Sequence, residues 1–135
     1  MVLNDLMPIP KWLIQNKRQL RNKKTQNALD IIDAGLQAAL PKNLLAGLVG
    51  KSKLLVGNKT YCLSKYRKVY VVAVGKAADS MAKAIYSKIN PDGGIIVIPQ
   101  NYTPLFHNKG FKVHRSGHPI PNASSVAAAK SILEL

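Results

Sequence analysis

The stretch Val69-Tyr70-Val71-Val72-Ala73-Val74-Gly75-Lys76-Ala77-Ala78-Asp79-Ser80-Met81-Ala82 decides the fold. Its first half is an unbroken apolar run, which suits a strand buried on both faces in the middle of a parallel sheet. Gly75 turns the chain, and a helix begins almost at once. Ala78, Met81, Ala82, Ile85 and Ile89 recur at helical spacing and form its inward face, with Ser80, Lys83, Ser87 and Lys88 mostly outward. Asn90-Pro91-Asp92-Gly93-Gly94 breaks that helix. Ile95 to Ile98 then reads as a second strand of the fully buried type. Strand, helix and strand within about 30 residues make a right-handed βαβ unit.

Working outward, Phe111 to His114 reads as a third short parallel strand after a loop from Pro99 to Gly110. Gly117-His118-Pro119-Ile120-Pro121 is a stiff turn. Asn122 or Ser124 caps the helix that follows, since either side chain accepts from free backbone N–H groups. The pattern assigns Val126, Ala129, Ile132 and Leu133 to that helix's inward face. Upstream, Ala28, Ile31, Ile32, Gly35, Leu36, Ala39 and Leu40 form one continuous helical stripe, ended by Pro41. A short helical turn fits around Leu44 to Leu48, closed by Gly50. Lys53 to Val56 and Thr60 to Leu63 flank Gly57-Asn58-Lys59 as a hairpin. Residues 1–25 form a basic N-terminal segment in which Trp12, Leu13 and Ile14 are candidate anchors. Residues 26–135 form an α/β domain with Rossmann-like α/β/α layers around a mainly parallel sheet. Three strands are few for a doubly wound sheet, and the apolar ending Ile132-Leu133-Glu134-Leu135 has no cap, so truncation at the C-terminus is expected.

The composition bounds the function classes. Hydrophobic residues make up 47% of the 135-residue chain and charged residues 19%, as in globular domains. No apolar run approaches the roughly 20 residues of a membrane-spanning helix. The single cysteine, Cys62, allows no internal disulfide, and Asp5, Pro8 and Pro10 stand where a signal peptide needs a basic patch and an apolar run. A cytoplasmic protein without a membrane partner is the resulting expectation. The formal net charge of +14 favours anionic partners. Aromatic residues are only 6% of the chain and do not alternate with arginines, so a base-stacking platform for nucleic acid is the weaker reading.

Two turns can carry chemistry. At Gly75-Lys76-Ala77 the first amides of a helix lack internal partners, and the helix dipole adds positive potential. Lys76 in that position is unfavourable for the helix alone, and a bound phosphate or carboxylate relieves it. An exposed lysine after an ordinary βα turn is the competing reading. A Walker motif is absent, and the later glycines of a dinucleotide fingerprint fall on Ala77 and Ser80. At Gly117-His118-Pro119 a rigid turn holds His118 at a helix start, where it can contact a substrate oxygen, move a proton, or merely pack. Arg115 and Ser116 stand just upstream as further anion contacts, or as plain surface. His107 and His114 have no partners at metal-ligand spacing, so no metal ligand is assigned. Cys62 is expected to be a buried small apolar residue.

At these two motifs the chain resembles the MOFRL-type glycerate 2-kinases. Lys68 to Ala84 is similar to that family's strand, "GKAA" turn and "MA" helix, and Ser116 to Ser125 to its "GHPxPD" segment, with Asn122 in place of the aspartate. The resemblance runs from about Gln26 to Leu135 and preserves the order of the motifs. It implies a two-domain enzyme that phosphorylates D-glycerate on its 2-hydroxyl with ATP and a divalent metal such as Mg²⁺, giving 2-phosphoglycerate. It places Lys76 in the interdomain cleft as an active-site residue, taken here as the catalytic one, and gives His118 a position in the same cleft; the residue chemistry above adds Gly75, Ala77 and Ser116 to these two as the candidate substrate- or phosphate-binding set. It further implies that the nucleotide segment and acidic residues lie beyond Leu135, so the chain alone is inactive. A homodimer remains open. The alternatives are hydroxypyruvate reductase, which the missing dinucleotide glycines oppose, and a basic nucleic-acid-binding module.

Overall fold

A computed structural model describes residues 22–104 and 106–135. Trp12, Leu13, Ile14 and the cations Lys17, Arg18 and Arg21 lie outside the described residues. The described residues divide into two units after Leu40, each taken by itself below.

In the first unit, helix α1 (Lys23–Ala39) starts five residues before the apolar stripe does. Its N-cap is Asn22, whose Oδ1 accepts from the Lys24 N–H at 2.9 Å. It stops at Leu40, whose extended backbone precedes Pro41 as the proline rule requires.

The second unit opens with a short helix, α2 (Pro41–Leu44), earlier than the turn expected at Leu44 to Leu48. A two-stranded hairpin follows, β1 (Lys53–Val56) and β2 (Lys59–Cys62), paired antiparallel around Gly57-Asn58. Gly57 takes φ +57°, open to glycine at little cost and the reason the two-residue turn closes.

The rest is the α/β unit. Strands β3 (Tyr70–Val74), β4 (Gly93–Pro99) and β5 (Phe111–Ser116) form a parallel sheet in the order β3-β4-β5. Helix α3 (Ala78–Tyr86) covers one face and α4 (Ala123–Leu133) packs on β5 and β4 from the other. The layers are therefore α/β/α. On the α3 side, Val71, Ile96 and Ile98 pack with Ala78, Ala82, Phe106 and Phe111. Tyr86, Phe106 and Phe111 cluster there with ring centroids 5.2 to 6.0 Å apart. On the α4 side, Ile95 and Val97 meet Ala128 and Ile132. Burying each such aliphatic side chain contributes roughly 1.5–3 kcal/mol, so the sheet is held chiefly through β4.

Three expectations are corrected. β3 is an outer strand of the described sheet; the strand in the middle is β4, whose six residues Gly93 to Ile98 are all buried. In α4 the inward residues are Ala128 and Ile132, whereas Val126 and Leu133 are 57% and 88% exposed. A short alanine-rich helix has a broad apolar surface, so its sequence leaves its rotation loosely defined. In α3, Met81 is turned outward, and the core positions are Ala78, Ala82 and Ala84.

Candidate functional site

The three parallel strands deliver their carboxyl ends to one edge of the sheet, where open α/β sheets bind ligands. Both motifs lie there. β3 ends at Val74, and the Gly75 N–H continues the ladder by donating to the Val97 carbonyl at 2.9 Å. Gly75 then adopts φ +112°, a conformation that costs any residue with a Cβ far more than glycine. That single backbone choice turns the chain into α3 within two residues.

The N-terminus of α3 is open. Its N-cap residue, Ala77, has no side chain that can accept, and α3 has no side-chain cap. The Ala78 N–H donates to the Gly75 carbonyl at 3.2 Å, while the N–H groups of Lys76 and Ala77 donate to nothing among the described residues. Gly75, Lys76 and Ala77 are all exposed. The arrangement presents free amides, the positive end of a helix and an ammonium at one place, which is what an oxyanion requires.

The second turn is built differently. Ser116 ends β5 opposite Pro99, and Gln100 N–H donates to the Ser116 carbonyl at 2.9 Å. Gly117 follows in a crowded position: a Cβ there would collide with the Ile120 carbonyl oxygen and lie 2.9 Å from Asn122 Cγ. The Asn122 side chain holds the turn together. Its Oδ1 accepts from Gly117 N–H at 3.1 Å and from Ser125 N–H at 3.2 Å, while Ser125 Oγ accepts from the Asn122 N–H at 3.1 Å. This reciprocal capping box satisfies the start of α4 from within. His118 stands exposed on this turn, before a cis bond to Pro119. Ser116 is half-buried and Arg115 exposed.

The structure thus groups Gly75, Lys76 and Ala77 on one turn, and Ser116 and His118 on another at the same sheet edge. β4 lies between the strands that carry them, a separation of roughly 10 Å at the usual strand spacing. No hydrogen bond joins the two turns among the described residues. A cavity of about 560 Å³ lies elsewhere, at the amino ends of the strands, lined by Tyr70, Asp92, Gly93, Lys109 and Lys112 among others. Its mixed charges and its position at the amino ends of the strands set it apart from the two turns.

Sequence reasoning missed Asp79. Its side chain is fully buried, and Oδ1 accepts from Phe106 N–H at 3.1 Å. One turn after Lys76, it ties the start of α3 to the loop between β4 and β5. An acid in the first turn of a helix was the available signal, but its distant partner is invisible in the local pattern. Cys62 is also corrected: it is partly exposed, and its Sγ lies 3.2 Å from Ser64 Oγ. The Ser64 hydroxyl, with smaller help from the Ser64 backbone, Lys65 and Lys53, holds the thiol below its usual range against the opposing effect of burial. His114 packs with its Nε2 buried and without a hydrogen-bond partner among the described residues. No helix among those residues is long and apolar enough to cross a membrane.

Comparison with known proteins bears on the family and the fold. Residues 27–135 match the family described as a domain of unknown function, DUF4147. The chain is 35% identical over 109 residues to a glycerate 2-kinase of Pyrococcus horikoshii, covering 79% of this chain and 24% of that protein. A D-glycerate 2-kinase of Thermotoga maritima is 28% identical over 114 residues, covering 80% of this chain and 23% of that protein. A solved Pyrococcus horikoshii structure superimposes with a TM-score of 0.70 at 32% identity, covering 84% of this chain and 26% of that one. The chain spans about a quarter of the length of the relatives it matches. With the match running through both glycine turns and every strand of the parallel sheet, the chain belongs to the DUF4147 family.

Proposed function

We propose that this chain supplies the phosphate-handling turn of a glycerate 2-kinase, which in its complete form transfers the γ-phosphoryl group of ATP to the 2-hydroxyl of D-glycerate and releases 2-phosphoglycerate. The observation that carries the reading is the N-terminus of α3 without a side-chain cap, with Lys76 on the turn just before the N-cap residue Ala77 rather than in the first helical turn. Phosphoryl transfer demands positioning and neutralisation of charge on the phosphate oxygens, with little covalent work for the protein. Lys76 and the Lys76 and Ala77 amides are suited to hold a phosphate or carboxylate oxygen. Ser116 and His118, across β4, are suited to contact the glycerate end, His118 as hydrogen-bond donor or proton carrier. The kinase names of the relatives support the substrate pair.

A divalent metal such as Mg²⁺, if bound, would supply neutralisation of the charge on the phosphate oxygens. Among the described residues, no three or more His, Cys, Asp or Glu side chains come together to hold one. Asp79 is buried with its carboxylate on the Phe106 amide. On this reading the 135-residue chain is expected to be inactive by itself. A cytoplasmic enzyme is part of the same reading, and a homodimer is compatible with it.

The test is a coupled assay of ATP-dependent glycerate phosphorylation by the full-length enzyme containing this segment. Lys76→Ala should lower kcat/KM by about 100-fold or more, the usual cost of removing a donor to developing charge. Full activity in that variant, or NAD(P)H oxidation with hydroxypyruvate and no phosphorylation, would overturn the assignment.

A further inference from the structure

The two crossovers of the parallel sheet are built differently. Parallel strands are usually joined through a helix, and α3 joins β3 to β4 in that way. Residues 100–110 join β4 to β5 with no helix among the described residues. This connection leaves the sheet at the carboxyl end of β4. It therefore starts between the Gly75 and Gly117 turns, one strand spacing of about 5 Å from each. Its first residues close a turn: the Tyr102 N–H donates to the Pro99 carbonyl at 3.0 Å, which leaves Gln100 and Asn101 at the two central positions.

The turn is pinned to both neighbours. The Gln100 N–H donates to the Ser116 carbonyl at 2.9 Å. Farther along, the Phe106 N–H donates to Oδ1 of the buried Asp79 on α3 at 3.1 Å. Tyr102 packs against the core on the α3 side, and Pro104 and Phe106 are buried. Gln100 and Asn101 remain exposed, and their side chains hydrogen-bond to nothing among the described residues. Polar groups displayed on a loop that a rigid scaffold holds still are a common source of binding residues.

The three turns at this edge differ in chemistry. The Gly75 turn offers an ammonium and the positive end of a helix, and the Gly117 turn offers His118 with Arg115 just upstream. Between them, Gln100 and Asn101 carry no charge and no helix begins, so nothing at this turn favours an anion. A carboxamide both donates and accepts, which suits a neutral hydroxyl. We propose that Gln100 and Asn101 determine substrate specificity: their carboxamides hold the hydroxyl that is not phosphorylated, selecting small hydroxy acids that carry a second hydroxyl over those that lack one. The inference deepens the glycerate kinase reading above and rests on it.

The test uses the full-length enzyme containing this segment, with ATP as phosphoryl donor and D-lactate, which is D-glycerate without its 3-hydroxyl, as competitor. In the double variant Gln100→Met, Asn101→Leu, KM for glycerate should rise about tenfold, the effect of losing neutral hydrogen bonds. KM for ATP and the inhibition constant of D-lactate should stay as they are, so the preference for glycerate over lactate falls by the same factor. Asn101→Ser, which keeps a donor and an acceptor, should raise KM less than Asn101→Leu. Both positions are exposed, so the circular dichroism and Tm of the variants should match the unaltered enzyme. An unchanged KM for glycerate in the double variant overturns the proposal and leaves the kinase reading intact. So does an equal rise in the constants for glycerate and D-lactate, because the turn would then act on what the two acids share. Absence of glycerate phosphorylation by the unaltered enzyme overturns the kinase reading itself, and this proposal with it.

Discussion

The Gly75 turn and the Gly117 turn are made of similar parts and do opposite things. Each follows a parallel strand, begins with a glycine and starts a helix. At Gly117, Asn122 and Ser125 cap the helix reciprocally, so the turn completes itself. At Gly75 the cap position is Ala77, whose side chain accepts nothing, and a lysine stands where the helix dipole repels it. A turn that consumes its own donors completes its helix from within, and a turn that leaves them free keeps donors that the proposed function assigns to an oxyanion. The contrast explains why Lys76 rather than His118 is the stronger candidate for holding phosphate.

The comparison can be broken at several points. The largest effect is expected at Asp79, which seats the open turn by holding the Phe106 amide. Asp79→Ala strips a buried amide of its charged acceptor and should cost about 3 kcal/mol, read as a drop in the denaturant midpoint at unchanged slope. Asn122→Ala opens the closed turn. It should cost about 1–2 kcal/mol, because it removes both the α4 cap and the acceptor for Gly117. Lys76→Met leaves the fold intact and sharpens the contrast directly. Inorganic phosphate at ten times its dissociation constant should stabilise the native chain by about 1.4 kcal/mol, and the variant should lose most of that response while Asn122→Ala keeps it. Equal responses in all three proteins would remove the distinction between the turns.

The smallest effect concerns the hairpin, outside both turns. Because the folded-state pKa of Cys62 is depressed, the thiolate persists as pH falls below the ordinary thiol value. The stability linked to it is present above the unfolded pKa and fades as pH drops through the folded one. Alkylation by iodoacetamide near neutral pH should therefore outpace that of an unstructured cysteine peptide. Ser64→Ala should slow it, because the hydroxyl is the largest of the contacts that hold the thiol down. Equal rates in the two proteins would show that the hydroxyl does not hold the thiol down.

Much of the site was legible because local chemistry sets it. A buried strand, a glycine and small residues at helical spacing lead to one βα turn, and the Lys76 position follows from that alone. Asn122 as cap was legible for the same reason. Asp79 was not, since its partner lies 27 residues away on a loop without a pattern. The rotation of α4 was not either, because alanines on several sides leave its inward face to be chosen by what it meets.

The order and type of the elements, the parallel α/β class and the open turn at Gly75 were determined by sequence alone, since periodicity, turn chemistry and capping act within a few residues. Which strand lies at the centre was decided only by tertiary structure. A doubly apolar strand states that it must be covered, but the cover is long-range, and in the described residues β4 is surrounded while β3 remains open.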